Sequence, residues 1–312
     1  GALMDRFKPL TLDDRPLVMD YLRRYPPDVS ELTFTNLFVW RGARPIWMGY
    51  VEDCLIFLSV PHDQEADSRI LFGPPAGPTP LATVLTALGP EGTRLERVPQ
   101  TTAEAAREIG LCIAEDRDNF DYVYRVSDLA ELSGRRYHKK RNLVKQCLSQ
   151  HTCGYEAITP ALIQECREFQ DRWCSVRRCG LDPGLCGEYE AIQEMFDQYQ
   201  VLDLIGGAIR VDGIIQAFSI GEQLNPDTAV CHFEKAMPEV QGLSQLINHW
   251  FALHSIRGFE YENREQDLGI AGLRQAKESY YPHHLINKYR VYPPSASQEA
   301  GVLADPHVCE RH

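Results

Sequence analysis

No two cysteines in this chain stand in a C-x2-C spacing, although ten are present. Their densest group, Cys174, Cys179 and Cys186, matches no zinc-ligand pattern, so no metal is expected. A disulfide-built secreted scaffold is normally much shorter, which makes reduced thiols and a cytoplasmic setting the expectation. No apolar run approaches the roughly 18 residues of a membrane span. The N-terminus reads as no signal peptide, with Gly1 to Leu3 before Met4 set aside as a cloning remnant. Positive charge is in deficit, with 32 Lys and Arg against 44 Asp and Glu and a net charge of −12. That excludes a protein that coats nucleic acid or anionic membrane with its whole surface, while leaving room for a local basic site. Nor does any Ser/His/Asp or Cys/His constellation carry a nucleophile motif.

What is present is ordinary globular material, 44% hydrophobic, 24% charged and 10% aromatic over 312 residues, a length that favours two domains. In the first half, Thr11-Leu-Asp-Asp opens a helix that stops at Pro26-Pro27. Residues 45–60 read as a hairpin turning at Glu52-Asp53, and 68–72, 94–98 and 122–126 as further strands. Helices are expected over 81–88 and from a Thr102 cap to Gly110. Mixed helices and strands make the class α+β (mixed α/β).

Residues 134–145 reverse the local charge, with six cations in twelve positions. Arg135, Lys139, Lys140 and Arg141 within it suit phosphate groups on a substrate or carrier, against the plain alternative of a solvated helix face. The expected organisation is therefore residues 4–130, a basic connector 131–150, a second domain 151–292 and a polar tail 293–312. The second domain opens with a strand, a helix from Thr159-Pro160 and an amphipathic helix over 188–199. A hairpin follows around Val211-Asp-Gly213, a strong turn signal.

The stretch 227–282 organises the rest. It reads as strand 228–236, tight turn, helix, strand 259–263, then a Gly-punctuated loop into another helix. Leu243, Leu246, Ile247, Trp250 and His254 recur at steps of three and four, and Arg257-Gly258 closes the helix. A strand-to-helix turn presents free N–H groups and a positive dipole end, so the chemistry is expected there.

The element order of the second half resembles the GNAT (N-acetyltransferase-like) fold. That family wraps coenzyme A pyrophosphate with a Gln/Arg-x-x-Gly-x-Gly/Ala loop. The matching window here runs from Glu239 through Gln241, Gly242 and Leu243 to Ser244. Gly242 fits; Glu239 and Ser244 depart from the pattern, and a carboxylate at the first position repels a pyrophosphate. A closer resemblance, spanning nearly the whole chain, is to the DUF2156 family, related to the C-terminal domain of phosphatidylglycerol lysyltransferases. It rests on Leu12-Asp-Asp14, Thr33-Phe-Thr-Asn-Leu37, Leu132-Ser-Gly-Arg-Arg-Tyr-His-Lys-Lys-Arg-Asn142 and Glu262-Asn-Arg-Glu-Gln-Asp-Leu-Gly-Ile-Ala-Gly-Leu-Arg-Gln-Ala-Lys277. This resemblance implies two tandem GNAT-like domains, each a mixed, mostly antiparallel sheet flanked by helices, as in Fem-type aminoacyltransferases. It implies acyl or aminoacyl transfer to an amine or hydroxyl acceptor, with aminoacyl-tRNA as the donor in such relatives.

Such transfer needs a deprotonated nucleophile and a stabilised oxyanion. The catalytic candidates are Glu262, Glu265, Asp267 and Glu234, with Asn263, Gln241, Gly242, Leu243, Ser244, Arg274 and Lys277 as substrate- or donor-binding candidates. Each has a plainer reading. Glu262 and Asn263 alternate faces, so one points into a cleft; Asp267 caps the following helix; Glu234 and Lys235 form an exposed pair. His232 shares Glu234's face at spacing two, as a packed or hydrogen-bonded histidine. Arg274 and Lys277 share a solvated helix face, and Tyr280 and Tyr281 are core or proton donors. The expectation is direct transfer without a covalent enzyme intermediate. Two alternatives stay open, a coenzyme A-dependent N-acyltransferase and a non-catalytic module that binds a small molecule or phosphate.

Overall fold

The computed structural model describes residues 4–60, 70–89 and 93–294; the expected polar tail lies outside these from residue 295 on. In chain order the first elements are β1 (Phe7–Pro9), α1 (Arg15–Arg24), α2 (Phe34–Val39), β2 (Ile46–Val51), β3 (Cys54–Ser59), β4 (Ile70–Phe72), α3 (Leu81–Leu88), β5 (Arg94–Pro99), α4 (Gln100–Glu108), β6 (Cys112–Glu115) and β7 (Asp121–Arg125). Then come α5 (Val126–Glu131), α6 (His138–Gln150), β8 (Cys153–Ala157), α7 (Ile163–Arg177), α8 (Pro183–Asp197), α9 (Tyr199–Leu202), β9 (Ile205–Val211) and β10 (Ile214–Asn225). The last are β11 (Thr228–Ala236), α10 (Leu243–Trp250), β12 (Tyr261–Asn263), α11 (Ala271–Glu278), β13 (His284–Ile286) and β14 (Lys288–Tyr292). They gather into two compact units, one from residues within 1–121, 266–270 and 285–312, the other from 122–265 and 271–284.

The first unit is built on a seven-stranded sheet, ordered β1-β2-β3-β4-β5-β14-β6. Its ladders are antiparallel except for β4 with β5. The β2–β3 hairpin turns at Glu52 and Asp53, both left-handed at φ 50° and 63°. This is the primed turn that matches strand twist, made here without glycine. Val84, Leu85 and Leu88 of α3 and Ala103 and Ala106 of α4 pack on Leu58, Leu71, Leu95 and Val291 of the sheet. Helix α4 starts at Gln100 behind Pro99, two residues ahead of the expected Thr102 cap. Strand β6 lies outside the strands expected from sequence, being four residues long and paired only with β14, which arrives from the far end of the chain.

Lys288, fully buried on β14, donates to Glu31 Oε1 at 2.7 Å and to Asp121 Oδ1 at 2.6 Å. Arg97 pairs with Glu31 at 3.0 Å, and Gln266 Nε2 donates to Ser30, Glu31 and Asp121. Burial pushes the Glu31 carboxyl up, but Lys288 and Arg97 outweigh it and hold the group below its ordinary range.

In the second unit the strand order is β13-β7-β12-β11-β10-β9-β8, and from β7 through β8 the neighbours are antiparallel save for β11 with β12. Asp212 and Gly213 turn the β9–β10 hairpin at φ 52° and 92°, as the Asp-Gly signal predicts. Between β10 and β11 the register slips so that Ile220 faces Phe233 and Gly221 faces Cys231, leaving His232 as the extra residue of a bulge. A β-carbon on Gly221 would lie 1.9 Å from the Val230 carbonyl, so only glycine passes there. Leu243, Leu246 and Ile247 bury one face of α10 against Val144 and Cys147 of α6 and Ile209 and Ala217 of the sheet. After Trp250 the helix widens into a π-turn over Phe251–Ser255. The wider turn breaks the three-and-four step, and His254, expected on the apolar face, is exposed. Among the described cysteines, Cys54, Cys147, Cys153, Cys166, Cys174 and Cys231 carry free thiols. No described helix is long and apolar enough to cross a membrane.

Candidate active site

Strands β11 and β12 run side by side for three residues only, Thr228–Val230 against Tyr261–Asn263. Beyond them β11 continues to Ala236 while the other chain turns away through Glu265, left-handed at φ 62°. Past Val230 and Asn263 the two strands no longer pair with each other, though β11 stays paired with β10, and a charged cluster lies at the parting. The Arg264 guanidinium spans it, reaching Glu234 Oε2 at 2.5 Å and Glu262 Oε2 at 3.2 Å. Ser219 Oγ donates to Glu234 Oε1 at 2.8 Å, so that carboxylate is paired at both oxygens. Glu262 is fully buried, and its Oε1 has no hydrogen-bond partner. Lys277 donates to the Arg264 carbonyl, and Tyr124 donates to the Lys277 carbonyl at 2.5 Å, which fixes the segment carrying Arg264.

Burial is the main influence on Glu262 and pushes its carboxyl up to about 7; Arg264 pulls the other way and Glu234 adds to the rise. A carboxyl titrating near neutrality with one oxygen open has the properties of a general base. Arg264, held between two carboxylates despite its burial, stays charged well above its ordinary range. Burial raises the Tyr155 hydroxyl to about 12, and it shares a 2.5 Å hydrogen bond with Ser255 Oγ. Burial likewise raises the Cys231 thiol to about 12, which leaves it no thiolate character for nucleophilic use. Tyr280, whose hydroxyl burial pushes up, lies within the fields of Glu234 and Arg264, and its ring sits under the Lys140 ammonium at 4.3 Å.

The bulge decides what lies on the reverse face. Because His232 is the extra residue, Cys231 and Glu234 both face Ser219, and His232 turns to the other side. The expectation that His232 shares a face with Glu234 fails for that reason. His232 is hydrogen-bonded, in line with its plainer reading, with Nε2 2.6 Å from Glu222 and Nδ1 2.9 Å from Glu265. Burial disfavours its charge, but the two carboxylates prevail and raise it to about 10, so the ring is an imidazolium. Asn263 lies on this face, its Oδ1 accepting from the Glu265 N–H at 2.9 Å.

Of the four acidic candidates, Glu262 and Glu234 meet through Arg264, and Glu265 belongs to the His232 clamp. Asp267, buried in the first unit, takes Arg117 at 3.2 Å and the Gly269 N–H at 2.8 Å, as a turn-forming carboxylate does. Arg264 and Ser219 are absent from the candidates that sequence suggests. Arg264 stands inside the 262–277 motif, and its period-two spacing from Glu262 is the available signal; Ser219 carries none.

The strand-to-helix turn is not where these groups gather. Gly242, at φ 82°, is buried against α6, where a β-carbon would come within 2.1 Å of the Leu143 carbonyl. Leu243 is core, and Gln241, Ser244 and Glu239 are exposed, which keeps a carboxylate at the first position of the loop. The residues present do not fit coenzyme A in the expected manner. In the basic segment, Arg141 donates to the Leu132 and Gly134 carbonyls, and Lys140 donates to Ser279 Oγ at 2.8 Å. Arg135 and Lys139 are exposed. Arg274 and Lys277 lie one turn apart on α11, and Lys277 reaches inward.

Two mixed, mostly antiparallel sheets flanked by helices, the second with a bulged strand beside a parting parallel pair, define a tandem GNAT-like protein. The sequence matches the family described as phosphatidylglycerol lysyltransferase, C-terminal, over residues 22–292, and the chain belongs to it. It is a GNAT-like domain of the aminoacyltransferase type. A conserved protein of unknown function from Bacteroides thetaiotaomicron is 31% identical, covering 92% of this chain and 99% of its own, with a TM-score of 0.83. The C-terminal DUF2156 domain of a protein assigned as a lysylphosphatidylglycerol synthetase from Agrobacterium fabrum shares the fold at 14% identity, covering 93% and 95%, with a TM-score of 0.64. FemX shares it at 8% identity, covering 96% and 99%, with a TM-score of 0.57. Among curated proteins, none matches this chain in sequence.

Proposed function

We propose that the second unit transfers an aminoacyl group, from aminoacyl-tRNA, to an amine or hydroxyl acceptor held where β11 and β12 part. The single observation that carries this reading is Glu262, a buried carboxyl poised near neutrality with Oε1 unpartnered beside the Glu234–Arg264 pair. The donor class rests on the family and on the poor fit of the Gly242 turn to a pyrophosphate.

In this mechanism the acceptor N–H or O–H gives its proton to Glu262 Oε1 as the bond to the acyl carbon forms. The ester bond to the tRNA ribose then breaks, and the proton passes from Glu262 to the leaving hydroxyl. Tyr280, half-buried within the fields of Glu234 and Arg264, is the donor available to the developing oxyanion. Arg135 and Lys139, exposed on the basic segment, contact donor phosphates, while Arg141 is committed to its carbonyls and Lys140 to Ser279. No covalent enzyme intermediate is required.

A thermal-shift titration with charged tRNA, uncharged tRNA and acetyl-coenzyme A side by side tests the donor class, since a ligand of the folded state raises the melting point. The reading expects a shift with charged tRNA that weakens with salt and with Arg135→Ala plus Lys139→Ala. A shift with acetyl-coenzyme A alone would overturn it in favour of an ordinary N-acyltransferase.

A further inference from the structure

The basic helix ends on a pair of thiols. Cys147 lies buried in the last turn of α6, and Cys153 opens β8, the strand at one end of the second sheet. Both thiols are free, and their Sγ atoms lie 3.9 Å apart. The connection between them is held by the β9–β10 turn. His151 N–H donates to the Cys147 carbonyl at 3.1 Å, and Asp212 N–H donates to the Thr152 carbonyl at 2.8 Å. Thr152 N–H donates to Asp212 Oδ1 at 2.9 Å, and the His151 ring lies 3.0 Å from Asp212 Oδ2. The fold therefore keeps the two sulfurs face to face, and an S–S bond needs them to close by only about 2 Å. Cys147 is buried with its β-carbon against Gly242, whereas Cys153 is half-buried, so a dissolved oxidant reaches Cys153 first. Burial pushes both thiols up, Cys147 to about 12, so they persist as thiols at neutral pH and react slowly.

We infer that Cys147 and Cys153 are a reversible disulfide site, which staples the end of the basic helix to β8 when a peroxide oxidises the pair. The Cys153 sulfur attacks hydrogen peroxide, an S–O bond forms as the O–O bond breaks, and water leaves with the thiol proton. The Cys147 sulfur then attacks the sulfenic sulfur, the S–S bond forms as the S–O bond breaks, and a second water leaves with the Cys147 proton. Each sulfur gives up one electron and the peroxide takes both. A dithiol reductant reverses the step by exchange. The bond restrains the unfolded chain and ties α6, on which Gly242 and Leu243 pack, to the sheet. Nothing in this chemistry requires the Glu262 cluster.

The experiment treats the full chain with hydrogen peroxide at pH 8, alkylates it with iodoacetamide in denaturant and maps the tryptic peptides by mass. One peptide, residues 146–167, carries Cys147, Cys153 and Cys166. The expected product has this peptide lighter by two hydrogens, with Cys166, fully buried on α7, alkylated and the other two not. Dithiothreitol before alkylation restores alkylation at all three. Cys153→Ser abolishes the lighter peptide and leaves Cys147 alkylated. Cys147→Ser gives a second variant in case the first disturbs folding, and its Cys153 goes on to sulfinic acid. Oxidation should raise the melting point of the wild type and of neither variant, and linkage should quicken from pH 7 to pH 9 as thiolate grows. Sulfinic acid on wild-type Cys153 with Cys147 still alkylated, a link that uses Cys166, or a melting point that falls on oxidation overturns the inference.

Discussion

Glu262→Gln should make the protein more stable at alkaline pH, although it alters a fully buried residue in a charged cluster. The carboxyl titrates near 4.5 when the chain is unfolded and at about 7 when folded. A folded value raised in this way means that the native state holds the proton more tightly. Its stability contribution is therefore fully present below pH 4.5 and is lost as pH rises through about 7. Each pH unit between the two values is worth about 1.4 kcal/mol, so the wild type gives up roughly 3 kcal/mol across that window. Glutamine mimics the protonated carboxyl, keeps an oxygen for Arg264 and does not ionise, so the variant avoids the loss. Urea unfolding of both proteins from pH 5 to pH 8 is the assay, and the difference between them cancels the other titrating groups. That difference should be small at pH 5 and grow to about 3 kcal/mol in favour of the variant by pH 8. A difference that stays constant over this range, or grows in favour of the wild type, would refute the account of Glu262. Glu234, Arg264, Lys277, Tyr124, Tyr155 and Cys231 face the same cluster, and none is altered by the substitution.

Three further outcomes follow from the same reasoning. At pH 8 nitrogen NMR should find both ring nitrogens of His232 protonated, because its raised value of about 10 makes the clamp's stabilisation complete below about 6.5 and lost only as pH climbs through 10; a neutral ring at pH 8 contradicts it. Lys288→Met should destabilise the first unit by about 3–5 kcal/mol in denaturant unfolding, since it strands Glu31 and Asp121 without their buried cation. Gly242→Ala should cost about 1–3 kcal/mol, because its β-carbon would press on the Leu143 carbonyl and force α6 away; a melting point equal to wild type would show that α6 yields freely.

Much of the fold was legible where the signals are local. The Asp212-Gly213 hairpin, the 81–88 helix and the apolar face of α10 follow from turn chemistry and periodicity acting within a few residues. What was not legible depends on partners distant in sequence. Strand β6 pairs with β14 from the far end of the chain, and the buried Lys288 finds its carboxylate partners at residues 31 and 121. The site shows the same division. Glu262 and Glu234 were readable as acids at the ends of adjacent strands. Their separation from His232 was not, because one bulge residue reverses the face of everything before it. The turn before α10 looked like an anion site by its glycine, but that glycine admits a neighbouring helix instead of a ligand.

The central claim is that Glu262 removes the acceptor's proton during aminoacyl transfer. It is tested most directly by incubating the protein with labelled aminoacyl-tRNA and n-butylamine and measuring labelled amide. The account predicts amine-dependent product, with a rate that falls as pH drops below about 7 and that Glu262→Gln lowers by about 10²–10⁴-fold. Product formed at the wild-type rate by the Glu262→Gln variant would contradict it.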